Sequence, residues 1–207
     1  QRQMCIRDRN YMDSTRNDIT STYFFERYLM TNRTLDEILA YYSNLTDRVK
    51  QSAPGVALKK KIEDMEQVNV GGMAPNFKLI TPEGKELSLY DLRGQIILLD
   101  FWASWCAPCL AEVPNLKAIY EKYHSKGLEI LGVSLDEKEA AWKNAIEKKG
   151  LIWKHLSSLK GWKCPVAQRF KVTGIPRMYI INAHGKIIAQ DLRGKKLAEK
   201  MDELFAK

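Results

Sequence analysis

The sequence has no stretch approaching the roughly 18 uncharged apolar residues that a membrane-spanning helix requires. Its most apolar run, Ile96 to Leu99, ends at Asp100. It has no sustained period either, which excludes coiled-coil, collagen-like and solenoid architectures. Histidine is scarce: His124, His155 and His184 are the only three in 207 residues, and they stand at no recognised ligand spacing. A zinc site would need a second ligand pair beside any Cys-x-x-Cys, so no metal is expected. Aromatic-interleaved basic motifs are also missing, and no nucleic-acid partner is expected.

What is present is ordinary for a folded chain. Hydrophobic residues make up 45% and charged residues 28%, too apolar for wholesale disorder. Against 25 acidic residues stand 33 basic ones, a net charge of +8. The basic clusters (Lys59 to Lys61, Lys148 and Lys149, Lys195 and Lys196) lie on or near predicted helices with acids close by. They read as solvated surface.

The chain divides by texture into three parts. Gln1 to Asn10 carry no apolar run and no periodicity and read as a non-native scar, which removes Cys5 from the cysteine arithmetic. Residues 11–70 read as a helical segment, expected to be the tail of a truncated domain. Thr34 and Glu37 form a capping-box pattern ahead of apolar Leu35, Ile38, Leu39, Tyr42 and Leu45. Pro54-Gly55 is expected to break this pattern before a short helix from Val56 to Glu66. Such helices are too few and too short to promise a core of their own.

Residues 71–207 alternate strand and helix signals. Phe77 to Ile80 and Glu86 to Leu89 flank turn residues Thr81 to Lys85. Gln95 to Phe101 and Leu128 to Leu135 read as buried strands, with helices over Ala107 to His124 and Glu137 to Lys149. A short strand near Leu151 to His155, a helical turn over Pro165 to Phe170, a hairpin (Arg177 to Asn182, Lys186 to Asp191) and a helix over Lys195 to Phe205 complete the pattern. This predicts an α/β fold with a mixed sheet flanked by helices.

Trp105-Cys106-Ala107-Pro108-Cys109 sits where a buried strand hands over to a helix. A thiol at a helix N-terminus meets unpaired N–H groups and the positive end of the dipole, which favour thiolate. Pro108 suits a first turn, and Cys109 lies one turn in on the same face, within reach of a disulfide. Haem attachment would need His after the second cysteine, where Leu110 stands. A purely structural disulfide in so small a loop would constrain the unfolded chain little. Redox chemistry is therefore preferred.

These residues carry a family resemblance. Gly71 to Lys207 resemble the thioredoxin superfamily, most closely its bacterial cell-envelope disulfide reductases of the TlpA/ResA type, an AhpC/TSA-related thioredoxin-like domain. The matching segments are Ala74-Pro-Asn-Phe77, Leu99 to Cys109, Glu112-Val-Pro114, Leu131-Gly-Val-Ser134 and Gly174-Ile-Pro176. A long stretch between Asp136 and Pro165 resembles the insertion of this subfamily. The resemblance implies that Cys106 attacks and Cys109 resolves, that Asp100 is a buried proton acceptor for Cys109, and that Glu112 is the active-site glutamate. It makes Pro114 a helix-kink residue and Pro176 a cis-proline facing the disulfide. Trp105, Ala107, Pro108, Ile175 and Pro176 then meet substrate, while Trp102 is mostly structural. It implies no cofactor. Disulfide-bearing proteins would be substrates, a membrane-embedded thiol protein the electron donor, and the periplasm or cell envelope the location, with cytochrome c maturation among the family's tasks.

Two alternatives follow from the same residues. A thiol peroxidase shares the Ala74 to Phe77 segment, but the P-x-x-x-T-x-x-C pattern of such enzymes meets Leu99 and Ala103 here. A redox-inert binding module would differ by a Cys106–Cys109 pair that does not cycle. Cys164 reads either as a buried free thiol or as a third redox cysteine.

Overall fold

The computed structural model describes residues 17–30 and 33–206, so the scar reading of Gln1 to Asn10 and Cys5 lies outside the described residues. The chain falls into two compact units, divided between Glu66 and Gln67. Among the described residues no helix is long and apolar enough to cross a membrane.

The first unit is helical: α1 (Ile19–Phe24) runs on into a π-helical turn (Phe25–Leu29), followed by α2 (Leu35–Asn44), α3 (Asp47–Lys50) and α4 (Ala53–Gln67). The Thr34–Glu37 capping box is formed on both sides, which fixes the start of α2. Two expectations are corrected here. Pro54-Gly55 does not precede the last helix but lies in its first turn, where a missing N–H costs nothing; Ser52 Oγ accepts the Gly55 N–H instead. The helices also close a core of their own, built from Phe25, Ile38, Tyr41, Leu45, Val49, Leu58 and Ile62. The Phe25 ring stacks on Tyr41 at 3.8 Å between centroids, so Tyr41 and not Tyr42 is the buried tyrosine of α2. Gly55 permits the close approach of α3 and α4, since a Cβ there would collide with the Val49 carbonyl.

The second unit is a seven-stranded mixed sheet, ordered β2-β1-β5-β4-β3-β6-β7. Its elements are β1 (Lys78–Ile80), β2 (Glu86–Ser88), β3 (Ile96–Trp102), α5 (Ala107–Tyr123), β4 (Leu128–Ser134), α6 (Glu139–Lys149), β5 (Lys154–Ser157), α7 (Pro165–Arg169), β6 (Arg177–Ile181), β7 (Ile187–Gln190) and α8 (Gly194–Phe205). Strands β3, β4 and β5 run parallel, while β6, β7, β1 and β2 join antiparallel. Every residue of β4, and all of β3 beyond Ile96, is buried, as the apolar runs require of central strands. The strand expected near Leu151 to His155 begins three residues later, at Lys154. Gly150 turns left-handed (φ 55°) to cap α6, and the Leu151 N–H still bonds the Ile146 carbonyl, so strand pairing begins only at Lys154 opposite Leu131.

Candidate active site

Strand β3 delivers the chain to α5 through Ala103, Ser104 and Trp105. Cys106 is the N-cap of α5, and its Sγ accepts the Cys109 N–H at 3.2 Å. Cys106 and Cys109 are joined in a disulfide with 5.3 Å between Cα atoms. Both cysteines are 4% exposed, whereas Trp105, Ala107 and Pro108 lie at the surface beside them. Pro108 occupies the first turn of α5 and Pro114 lies inside the helix.

The Ile175–Pro176 peptide is cis. Antiparallel pairing of Phe101 with Arg177 sets Pro176 at the same end of the sheet as the Cys106 loop. Ile175 is half-buried and Pro176 buried. A cavity of about 450 Å³ opens beside them, bordered by Arg177, Asp191 and Arg193. A second, of about 480 Å³, lies on the other flank between Trp105 and Trp162, whose rings are 6.4 Å apart.

Asp100 is buried inside β3, and its Oδ1 has no protein donor. Burial pushes its pKa up from 3.8 to about 7; the Glu112 carboxylate adds to the rise and Arg193 opposes it. Asp100 and Trp102 point to the same face of the sheet, with Gly132 beside Asp100 on β4 and His155 beyond it on β5. Gly132 is required there, because a Cβ would come within 2.6 Å of His155 Nδ1 and 2.9 Å of Trp102 Nε1. Burial lowers His155 to about 3, which keeps it neutral. Trp102 is buried against His155, as a packing residue would be.

Glu112 sits on α5, half-buried, and its Oε1 accepts the Gly194 N–H at 2.7 Å and Asn115 Nδ2 at 2.5 Å. It thereby caps the start of α8, whose preceding residue, Arg193, supplies no side-chain cap. Cys164 is fully buried and unpaired at the start of α7.

Three contributors escaped sequence reasoning. Asp136, just past β4, accepts the Ser104 N–H (2.9 Å), the Ser104 hydroxyl (2.6 Å) and the Ser134 hydroxyl (2.7 Å), pinning the loop that carries Trp105 and Cys106. The Ser-x-Asp spacing after an apolar strand was a visible signal for it. Arg193 donates to the Pro176 carbonyl, and Trp162 is 46% exposed opposite Trp105. Neither has a local signal, since both act across more than fifteen residues of chain.

Residues 70–190 match the model of the AhpC/TSA family. The chain is 33% identical over 142 residues to the thiol-disulfide oxidoreductase ResA of Bacillus thuringiensis subsp. konkukian, covering 69% of this chain and 80% of that protein. ResA of Bacillus anthracis is 34% identical over 144 residues, covering 70% and 81%. Among solved structures, the thioredoxin domain of a thiol-disulfide oxidoreductase from Bacteroides vulgatus is similar with a TM-score of 0.63 and 33% identity, over 66% of this chain and 98% of that one. A thiol-disulfide oxidoreductase from Bacteroides fragilis gives 0.60 and 34%, over 64% and 98%. The chain carries its disulfide at a helix N-terminus on a sheet similar to those of these solved structures, and it belongs to the AhpC/TSA family as a thiol–disulfide oxidoreductase of the ResA kind.

Proposed function

We propose that this protein reduces disulfides of other proteins in the bacterial cell envelope. The observation that carries the reading is the Cys106–Cys109 disulfide at the N-terminus of α5, at the sheet end that also holds cis-Pro176. In the reduced enzyme, helix N–H groups and the dipole favour a Cys106 thiolate. That thiolate attacks a substrate disulfide, forming a mixed disulfide and releasing one substrate thiolate. Cys109 gives its proton to Asp100 and attacks Cys106 Sγ. The second substrate sulfur leaves, and the enzyme holds the two-electron oxidised pair. Asp100, with a pKa near neutrality, suits a group that takes a proton at pH 7 and returns it. Glu112 raises that pKa and caps α8. Trp105, Ala107, Pro108 and Ile175 line the approach, and the Ile175 backbone is placed to pair with an extended substrate segment.

Residues 71–207 carry this activity, and the preceding helical segment is a separate unit. A membrane-embedded thiol protein resets the disulfide, and a periplasmic location agrees with the oxidising conditions in which such substrates form. Cytochrome c maturation is one process that consumes this reaction.

The test is the reduction potential of the Cys106–Cys109 couple, equilibrated against glutathione and dithiothreitol buffers. A value near or below about −250 mV supports a reductase, whereas one near about −120 mV makes the protein an oxidant. No reversible two-electron couple would leave only a binding module.

A further inference from the structure

The corner between β7 and α8 meets two parts of the site that the cysteines do not join. Arg193 Nη2 donates to the Pro176 carbonyl. The next N–H, from Gly194, goes to Glu112 Oε1 at 2.7 Å, and the Gly194 carbonyl accepts Asn115 Nδ2 at 3.3 Å. One dipeptide thus ties the cis-proline loop to the redox helix, with Gly194 turned into the left-handed region (φ 51°) to do so. In the proposed mechanism the mixed disulfide forms at the end of the sheet that carries both segments.

We propose that Arg193 is a positioning residue for thiol–disulfide exchange, anchoring the cis-proline loop through Pro176 while its charge acts from the surface on buried Asp100. The proposal rests on the reading of Asp100 as proton acceptor for Cys109.

The groups around Asp100 can be counted by element. Glu112 from α5 and Arg193 from the start of α8 act on it through their charges. Gly132 of β4 and Met178 of β6, its neighbours in the sheet, bring none. His155 of β5, reaching over Gly132, is neutral. Arg193 is therefore the cation that offsets Glu112 at this site among the described residues. Without it, burial and Glu112 act unopposed, and Asp100 keeps its proton to higher pH. A protonated Asp100 cannot take the Cys109 proton, so attack on Cys106 Sγ and departure of the substrate thiolate wait for more alkaline solution.

Charge and tether can be separated by substitution. Arg193→Gln and Arg193→Met both remove the charge and, ending two bonds short of the guanidinium nitrogens, the bond to the Pro176 carbonyl; Arg193→Lys keeps the charge on a side chain one bond short. The full chain, reduced beforehand, is mixed with excess disulfide-bonded peptide, and single-turnover oxidation is followed by tryptophan fluorescence across pH. Arg193→Gln and Arg193→Met should both move the pH midpoint of the rate upward. Arg193→Lys should restore it, which a merely structural role would not require. Both uncharged variants should also raise the half-saturating peptide concentration several-fold, and Arg193→Lys, with its shorter reach, should restore the midpoint more fully than that concentration. An unmoved midpoint in both uncharged variants, while Asp100→Asn abolishes the wild-type midpoint, overturns the proposal. If Asp100→Asn itself leaves the midpoint in place, the reading of Asp100 fails first and takes the proposal with it.

Discussion

Asp100 in the middle of β3 and Asp136 just past the end of β4 are both buried, at 5% and 2% exposure, and both lie close in the fold to the redox loop. Their surroundings treat them in opposite ways. Asp136 has donors for both oxygens: the Ser104 N–H and Ser134 hydroxyl on Oδ2, the Ser104 hydroxyl on Oδ1. Asp100 leaves Oδ1 without a protein donor and shares its neighbourhood with a second carboxylate, Glu112. A buried acid that is fully hydrogen-bonded is a structural clamp, because any change in it strands its donors. A buried acid left unmet is costly in its charged form, and that cost is what brings its proton affinity into the working range of an enzyme. The same residue type thus fixes the loop from one side and, in the proposed mechanism, serves the thiol from the other.

The sharpest way to break this contrast is Asp100→Asn. Burial raises Asp100 from 3.8 to about 7, so between those values the folded protein holds a proton that the unfolded chain has released. Stability therefore falls as pH climbs from about 4 to about 7 and stays lower above that. The whole interval corresponds to roughly 4 kcal/mol at most. Asp100→Asn should remove this slope, matching wild type near pH 4 and exceeding it at pH 8 in urea titrations. Its rate of disulfide reduction at pH 7 should fall roughly 100-fold, the usual worth of a positioned proton acceptor. A variant no more stable than wild type at pH 8 would contradict the account of Asp100 as an unmet acid.

Asp136→Ala should have the opposite sign. It leaves the Ser104 N–H and two serine hydroxyls without their acceptor in a buried corner, for a loss of about 3 kcal/mol. Asp136→Asn keeps one acceptor and should lose about half as much. Both losses should persist from pH 6 to pH 8, unlike the effect at Asp100. A cost below about 1 kcal/mol for Asp136→Ala in urea unfolding would mean that the three donors find other partners and that Asp136 clamps nothing.

The two acids also differ in how far the sequence exposes them. Asp100 interrupts an apolar strand six residues before Cys106, and such an interruption is visible one residue at a time. The Cys-Ala-Pro-Cys segment, the turn residues of both hairpins and the Thr34–Glu37 box are local in the same sense, and each element formed near its expected place. Asp136, Arg193 and Trp162 do their work across the fold: Asp136 reaches Ser104 thirty-two positions back, and Arg193 reaches Pro176 seventeen back. The Ser134-x-Asp136 spacing hints at a local bond, but no spacing rule links Asp136 to Ser104 or Arg193 to Pro176 before the sheet order is known. The core of the helical unit was hidden for a related reason. Phe25 precedes the recognisable helix, and its stacking on Tyr41 depends on a π-helical turn that periodicity does not announce. At β5 the missed signal was the left-handed Gly150, which lets α6 hold Leu151 and delays the strand.

A third buried acid has as many donors as Asp136, but one of them is a cation. Glu129, 1% exposed on β4, is held by Lys154 Nζ at 2.5 Å, the Ile130 N–H at 3.1 Å and the Tyr120 hydroxyl at 3.3 Å. Burial, with Glu129 beside it, pushes the Tyr120 hydroxyl up to about 12, so this donor stays protonated at any physiological pH. Removing the cation by Lys154→Met strips Glu129 of one partner of three. The lysine side chain is 44% exposed, so water screens the pair and the loss should be only about 1 kcal/mol. Adding Glu129→Gln should recover most of that loss, since an amide in the same place no longer needs a cation; a double-mutant cycle in urea measures it directly. A Lys154→Met penalty as large as that of Asp136→Ala would mean that the charge at Glu129 depends on its lysine alone. The charge of a partner, and not the number of donors, would then set what a buried acid costs, and the contrast between Asp100 and Asp136 would need a different cause.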